Sequence, residues 1–152
     1  MSKLFLMCGI PGSGKSTWLQ KNCGENDIIV SRDAIRFSML KDDEEYFAKE
    51  NEVFVEFCKQ ISENLAAGHN VFADATHLNA NSRKKVLDNV TGYDFIGAIV
   101  MNTPLNECIR RNDNRTGRAF VPHSVIRRMS CQFDYPDITE NFDIVLEVQE
   151  EK

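Results

Sequence analysis

Gly9-Ile10-Pro11-Gly12-Ser13-Gly14-Lys15-Ser16-Thr17 decides the reading of this chain, because it satisfies G-x-x-x-x-G-K-[ST] without a departure. Before it, residues 3–8 (KLFLMC) form a short apolar run stopped by glycine and proline, the pattern of a buried strand. After it, residues 15–23 have helical composition. Strand, glycine loop and helix are the context the pattern needs. Glycines let backbone N–H groups turn inward around a phosphate, and the helix N-terminus adds its partial positive charge. Gly9, Gly12, Ser13, Gly14, Lys15, Ser16 and Thr17 are the expected nucleotide contacts, with Lys15 bridging β- and γ-phosphates and the Ser16 hydroxyl on Mg²⁺.

Outward from the loop, the chain alternates. Residues 27–30 read as a second strand, followed by Ser31-Arg32-Asp33 and a helical stretch to about Leu40. Residues 43–67 place Phe47, Phe54, Phe57, Cys58, Ile61 and Leu65 at three- and four-residue spacing, an amphipathic helix broken once near its start and stopped by Gly68. Residues 70–73 give a third strand ending at Asp74. A helix over 79–90 carries Ser82, Arg83, Lys84 and Lys85 on its exposed turns. Residues 95–101 form a fourth strand. Thr103 and Pro104 read as N-cap and first residue of a helix to about Asn112, Pro122 opens another to about Phe133, and 142–148 supply the last strand. Five strands separated by helices predict an α/β fold, a mainly parallel sheet covered on both faces. Only residues 149–152 read as a loose tail.

Bulk properties narrow the class. At 152 residues and 42% hydrophobic, the chain suits a single domain spanning 1–152. A net charge of −5 argues against coating long nucleic acid with the whole surface, though not against a local basic site. Five cysteines, Cys8, Cys23, Cys58, Cys108 and Cys131, are scattered without a C-x-x-C, so reduced thiols and a cytoplasmic location are expected rather than disulfides or zinc. No run approaches the roughly 20 apolar residues of a membrane span.

Two carboxylates follow strand ends. In open parallel sheets ligands gather beyond the carboxyl ends of strands, so Asp33 and Asp74 should face the crevice that holds the loop. One role there is to take the proton of an attacking hydroxyl, another to hold Mg²⁺ through water, and position alone leaves either residue open to either role. Asp33 equally suits a helix N-cap. Between Cys108 and Cys131 stand Arg110, Arg111, Arg115, Arg118, Arg127 and Arg128 against a single acid, Asp113. Arg115 and Arg118 flank Thr116-Gly117 in a polar loop and are the candidates to close over a triphosphate; the other four suit solvated helix faces. His69, His77 and His123 are too dispersed for an imidazole metal site. Trp18 reads as core.

Four segments together resemble the kinase domain of the bacteriophage polynucleotide 5′-hydroxyl kinase family, within the small P-loop kinases that include adenylate kinase. They are GIPGSGKSTW at 9–18, SRDAIR at 31–36, DATHLNANSRKK at 74–85, and RRNDNRTGRAFVP at 110–122 followed by VIRRM at 125–129. The resemblance implies strand order 2-3-1-4-5, a helical lid over about 104–133, and ATP with Mg²⁺. It implies that Asp33 is the general base for the acceptor's 5′-hydroxyl, that Arg36 binds the acceptor's phosphate, and that Arg115 contacts the donor phosphates. One extra residue between Arg111 and Pro122 leaves Arg118 as a substitute, and Asp74 would buttress Arg36 or the Mg²⁺ shell. No D-x-D-x-T element follows, so a 3′-phosphatase activity is not expected. The strongly acidic stretch 42–67, which shapes the acceptor channel in such kinases, is a poor wall for a long polyanion.

Three readings follow: a kinase of 5′-hydroxyl ends of DNA or RNA, a kinase of a nucleoside, modified base or other small hydroxyl metabolite, and a nucleotide-binding module without phosphotransfer. The first makes a nucleic-acid end the partner and requires no membrane and no obligate protein partner; none fixes an oligomeric state.

Overall fold

Alternation along β1 (Lys3–Cys8) puts Leu4, Leu6 and Cys8 on one face and Phe5 and Met7 on the other, so both sides of this strand demand cover. A computed structural model of the protein describes residues 2–149, apart from the side chain of Arg118. In it β1 runs into α1 (Lys15–Asn22), followed by β2 (Asp27–Ser31), α2 (Arg32–Met39), α3 (Glu50–Ala66), β3 (Asn70–Asp74), α4 (Ala80–Asp88), β4 (Phe95–Asn102), α5 (Leu105–Asp113), α6 (His123–Gln132) and β5 (Ile144–Gln149). Short 3₁₀ turns lie at Gly117–Ala119 and Ile138–Glu140. All four strand pairings are parallel, in the order β2-β3-β1-β4-β5. The expected α/β architecture and strand order are the ones observed.

One face of the sheet, with Leu4, Leu6, Val71, Ala73, Ala98 and Val100, packs on α2, α3 and α4. Helix α3 supplies Val53, Phe57, Ile61 and Leu65, each worth roughly 1.5–3 kcal/mol over an exposed side chain, which fixes its docking more firmly than helix propensity can. The opposite face, with Met7, Phe72 and Ile99, packs on Leu19 and Trp18 of α1, so Trp18 belongs to the core as expected. Cover fails at the sheet edge. Ile144, Val145 and Leu146 of β5 are each nearly half exposed, a departure from the sheet covered throughout.

Several local expectations are corrected. Phe47 is not on the apolar face of α3: the helix begins at Glu50, residues 41–49 form turns, and Phe47 is 55% exposed. Thr103 does not cap α5, whose N-cap is Pro104; its hydroxyl donates instead to the Ser13 carbonyl at 2.8 Å. Gln149 belongs to β5 rather than to a tail, while residues 150–152 lie outside the described chain.

The largest correction is Arg83, expected on an exposed turn and in fact wholly buried. Its guanidinium donates to Glu140 Oε1 and Oε2 at 2.7 and 3.1 Å, to the His77 carbonyl at 2.9 Å and to the Asp134 carbonyl at 3.0 Å. One planar fork thus ties α4 to the loop after β3 and to the segment entering β5. Cys8 lies against this group, and burial, only partly opposed by Arg83, pushes its thiol up to about 12. Arg83→Met removes one partner and leaves a carboxylate and two carbonyls unsatisfied. It should lose about 3–5 kcal/mol of unfolding free energy, read by urea denaturation.

Candidate active site

The loop owes its shape to two left-handed glycines, Gly12 at φ 84° and Gly14 at φ 97°. Gly14 is the N-cap of α1 and makes no side-chain cap bond, so the first N–H groups of the helix point at the loop's interior. A Cβ on Gly12 would stand 2.4 Å from the Cys108 carbonyl oxygen of α5, and one on Gly14 would stand 3.1 Å from Arg111. The loop is therefore pressed against the helix that follows β4. Ile10 completes that contact, packing with Cys108 and Ile126, so the predicted lid helices α5 and α6 are rooted on the phosphate loop itself.

Lys15 Nζ donates to the carbonyls of Gly9 and Ile10 at 2.8 and 3.1 Å. Burial pushes its pKa down, against the pull of Asp74. Asp74, at the end of β3, is pushed up by burial, against the pull of Lys15. In both groups desolvation outweighs their mutual attraction, so each gains from a further counter-charge: an anion on the lysine, a cation on the carboxylate. Ser13 Oγ is buried without a partner beside Gly9. Ser16 and Thr17 are exposed on the first turn of α1. This donor set fits a polyphosphate. Asp33 and Arg115 are close enough to act electrostatically on both Lys15 and Asp74, so four of the residues singled out from sequence lie within electrostatic reach of one another. The backbone explains why: β2 and β3 are in register with Ser31 opposite Asp74, and the Gly9 N–H donates to the Thr76 carbonyl at 3.0 Å.

Ser31, not Asp33, caps α2, accepting from the Ala34 N–H at 3.1 Å. Asp33 is thereby released from the N-cap role and sits more than half exposed in the first turn. Its Oδ1 accepts from Arg36 Nη1 and, at 2.5 Å, from the Tyr46 hydroxyl. Arg36 is 4% exposed, stacks on the Tyr46 ring at 4.2 Å, and donates to Glu50 Oε1 and Oε2 at 2.9 and 3.0 Å. Arg32 also reaches Glu50, at 2.6 Å. Burial, then the neighbouring Asp33 carboxylate, pushes the Tyr46 pKa well up, so its hydroxyl stays a proton donor to that carboxylate.

Sequence reasoning passed over three of these residues. Tyr46 and Glu50 fall within the acidic stretch 42–67 without standing out from it; their four-residue spacing, bracketing the entry to α3, is the available signal. Arg111 was assigned to a solvated helix face, but its guanidinium is half-buried, bonded to Glu107 at 3.2 Å and directed at the Gly12 carbonyl at 3.4 Å. Beyond it, Asn112 is buried. Its amide exchanges bonds with the Val121 carbonyl at 2.6 Å and N–H at 2.9 Å, closing the base of the loop that carries Arg115 and Arg118. Arg115 is exposed on this loop, and the side chain of Arg118 lies outside the described set.

His77, in the loop after β3, is buried, at φ 42°, with Nδ1 donating to the Met7 carbonyl at 2.5 Å. Burial pushes its pKa down to about 4.

Gly12→Ala should weaken binding of a fluorescent ATP analogue at least roughly tenfold, because both the left-handed backbone and the Cys108 carbonyl oppose a Cβ; an unchanged Kd would show that the loop tolerates displacement. For His77, the unfolded chain binds the proton more tightly than the folded one. Its contribution is fully present above the unfolded pKa of about 6.5 and is lost as pH falls from there toward 4. The loss should reach about 3 kcal/mol. Urea denaturation across that window should show the slope, and His77→Asn should flatten it.

Residues 4–136 match the model of a family described as an AAA domain. Among solved structures, a chain of the Pnkp1/Rnl/Hen1 RNA repair complex superposes with a TM-score of 0.75 at 29% identity, covering 93% of this chain and 46% of that one. The protein thus spans less than half of that chain's length. A sugar kinase from Janibacter sp. HTCC2649 gives 0.71 at 14% identity, covering 98% and 86% of the two chains. Kti12 from Chaetomium thermophilum, in complex with ADP-AlF3, gives 0.68 at 10%, covering 96% and 88%. The latter two likenesses bear on the fold alone. No described helix is long and apolar enough to cross a membrane. With residues 4–136 matched and a phosphate loop at the centre of a 2-3-1-4-5 sheet, the chain belongs to this AAA domain family and carries a nucleotide-binding P-loop fold of the kinase type.

Proposed function

We propose that the protein is an ATP-dependent kinase that transfers the γ-phosphoryl group to a 5′-hydroxyl end of DNA or RNA. The observation that carries this reading is the position of Asp33: an exposed carboxylate, held through one oxygen by Arg36 and Tyr46, within electrostatic reach of Lys15, Asp74 and Arg115. A loop that binds a triphosphate needs no such group; an enzyme that activates a hydroxyl does. The likeness at 29% identity to a chain of an RNA repair complex supports nucleic acid as the acceptor.

In this mechanism Lys15 leaves the Gly9 and Ile10 carbonyls and neutralises the β- and γ-phosphates. The acceptor oxygen attacks the γ-phosphorus as the bond to the ADP oxygen breaks, and its proton passes to Asp33. With Oδ1 occupied by two donors, Oδ2 is the oxygen that takes it. Arg115, aided by Arg118, brings positive charge to the transferring group from the loop whose base Asn112 closes. Arg111 supports the loop from the Gly12 side. Ser16 and Asp74 are the residues that would hold Mg²⁺, which when bound would neutralise negative charge on the phosphates. Arg36 is the acceptor-phosphate contact. Because Glu50 engages it bidentately, a phosphate gains it by exchange with that carboxylate. In this reading residues 1–152 belong to a single domain, with about 104–133 as its lid.

The Glu50–Arg36 pair also favours a second reading. An arginine already neutralised, beside the acidic turn 42–45, suits an uncharged acceptor such as a nucleoside or other small hydroxyl metabolite. Labelled ATP offered with a 5′-hydroxyl oligonucleotide, a nucleoside 3′-monophosphate, a nucleoside and a simple sugar separates the two. The first reading expects label on the oligonucleotide; label confined to the nucleoside or sugar would select the second. For either kinase, Asp33→Asn should lower kcat by about 10²–10⁴ with ATP affinity unchanged. Full retained turnover would remove Asp33 from the chemistry.

A further inference from the structure

We propose that Phe47 is a stacking platform for an unpaired nucleobase of the acceptor strand. This rests on the polynucleotide reading and names how the same site grips its substrate. Phe47 is 55% exposed on the turn before α3, a large aromatic ring with more than half of its surface open to solvent. Its location is specific. Tyr46, the preceding residue, bonds Asp33 through its hydroxyl, and Phe47 meets the Tyr46 ring edge-on with centroids 4.7 Å apart at 85°. Arg36 lies 4.2 Å from the Tyr46 centroid and 5.7 Å from that of Phe47. The aromatic pair is therefore fixed to the general base on one side and to a buried cation on the other.

Charge selects what lands there. The turn carries Asp42, Asp43, Glu44 and Glu45. Lys49, which follows, is engaged by Glu44 at 3.2 Å and by the Met39 carbonyl at 2.9 Å, and Glu50 occupies both Arg32 and Arg36. A phosphate approaching this wall meets net negative charge. A nucleobase does not: it is flat and uncharged, and it binds an aromatic ring through its π-face whatever its identity. The acidic wall that argues against a long polyanion is thus compatible with a strand that gives one phosphate to Arg36 in exchange for Glu50, turns a base toward Phe47 and keeps its other phosphates away.

The test uses four acceptors with labelled ATP on the intact protein: a 5′-hydroxyl oligonucleotide, the same strand abasic at its first nucleotide, the same strand abasic at its second, and a nucleoside. Wild type should show a KM about tenfold higher for one of the abasic strands, with kcat and the KM for ATP little changed. Phe47→Ala should raise KM for the intact strand to that same level and lose no more on the abasic strand, and Phe47→Trp should restore the intact-strand value. Melting temperatures check that the exposed substitutions leave folding intact. Equal KM for intact and abasic strands in wild type, or an equal loss on both in Phe47→Ala, overturns the proposal. Label on the nucleoside with none on any strand overturns it too, by removing the polynucleotide reading beneath it.

Discussion

Everything at this site depends on the hydrogen bond from the Gly9 N–H to the Thr76 carbonyl, 3.0 Å long, which ties the turn after β1 to the turn after β3. Parallel pairing brings the carboxyl ends of β1, β2 and β3 to one edge, and this bond fixes the two turns at a common height. Lys15 and Asp74 consequently share one partly dry crevice. Their opposing shifts, the lysine down and the carboxylate up, show that desolvation prevails over their attraction. Such a pair contributes little to folding and is arranged to receive charge.

The proposed acceptor side, around Asp33, is organised by competition for Arg36. Three groups hold its guanidinium, and Glu50 does so through both oxygens while also engaging Arg32. A buried arginine without such partners would cost several kcal/mol, so the network keeps the cation in place and aims Asp33. It also sets a condition on the substrate. An anionic acceptor must offer Arg36 at least what Glu50 offers, whereas a neutral one leaves the network untouched. In the proposed kinase, selectivity between acceptor classes would turn on Glu50, a carboxylate outside the phosphate loop.

Legibility from sequence followed the range of the forces involved. The loop, the alternation of strands and helices, and the crevice carboxylates are local patterns, and the parallel sheet follows from them. Strand order came through the resemblance carried by four separated segments. What was missed is non-local. Arg83 sits among surface-type residues of α4, and its burial is explained by partners outside the helix, chief among them Glu140 and the Asp134 carbonyl, 57 and 51 positions away. Phe47 matches the helical spacing of α3, but turns at 41–49 delay the helix until Glu50. Thr103 has the composition of an N-cap, yet the Ser13 carbonyl claims its hydroxyl across 90 positions. Arg111 fits an amphipathic surface until Gly12 is seen against α5.

In the proposed function a triphosphate on the Gly9–Thr17 loop and the carboxylate of Asp33 serve one reaction, transfer to a nucleic-acid hydroxyl. Following ATP turnover by ³¹P NMR in the presence of a 5′-hydroxyl oligonucleotide tests it most directly. A 5′-phosphomonoester should appear in step with ADP, in equal amount, with no inorganic phosphate. ADP accompanied by inorganic phosphate and no phosphomonoester would contradict it.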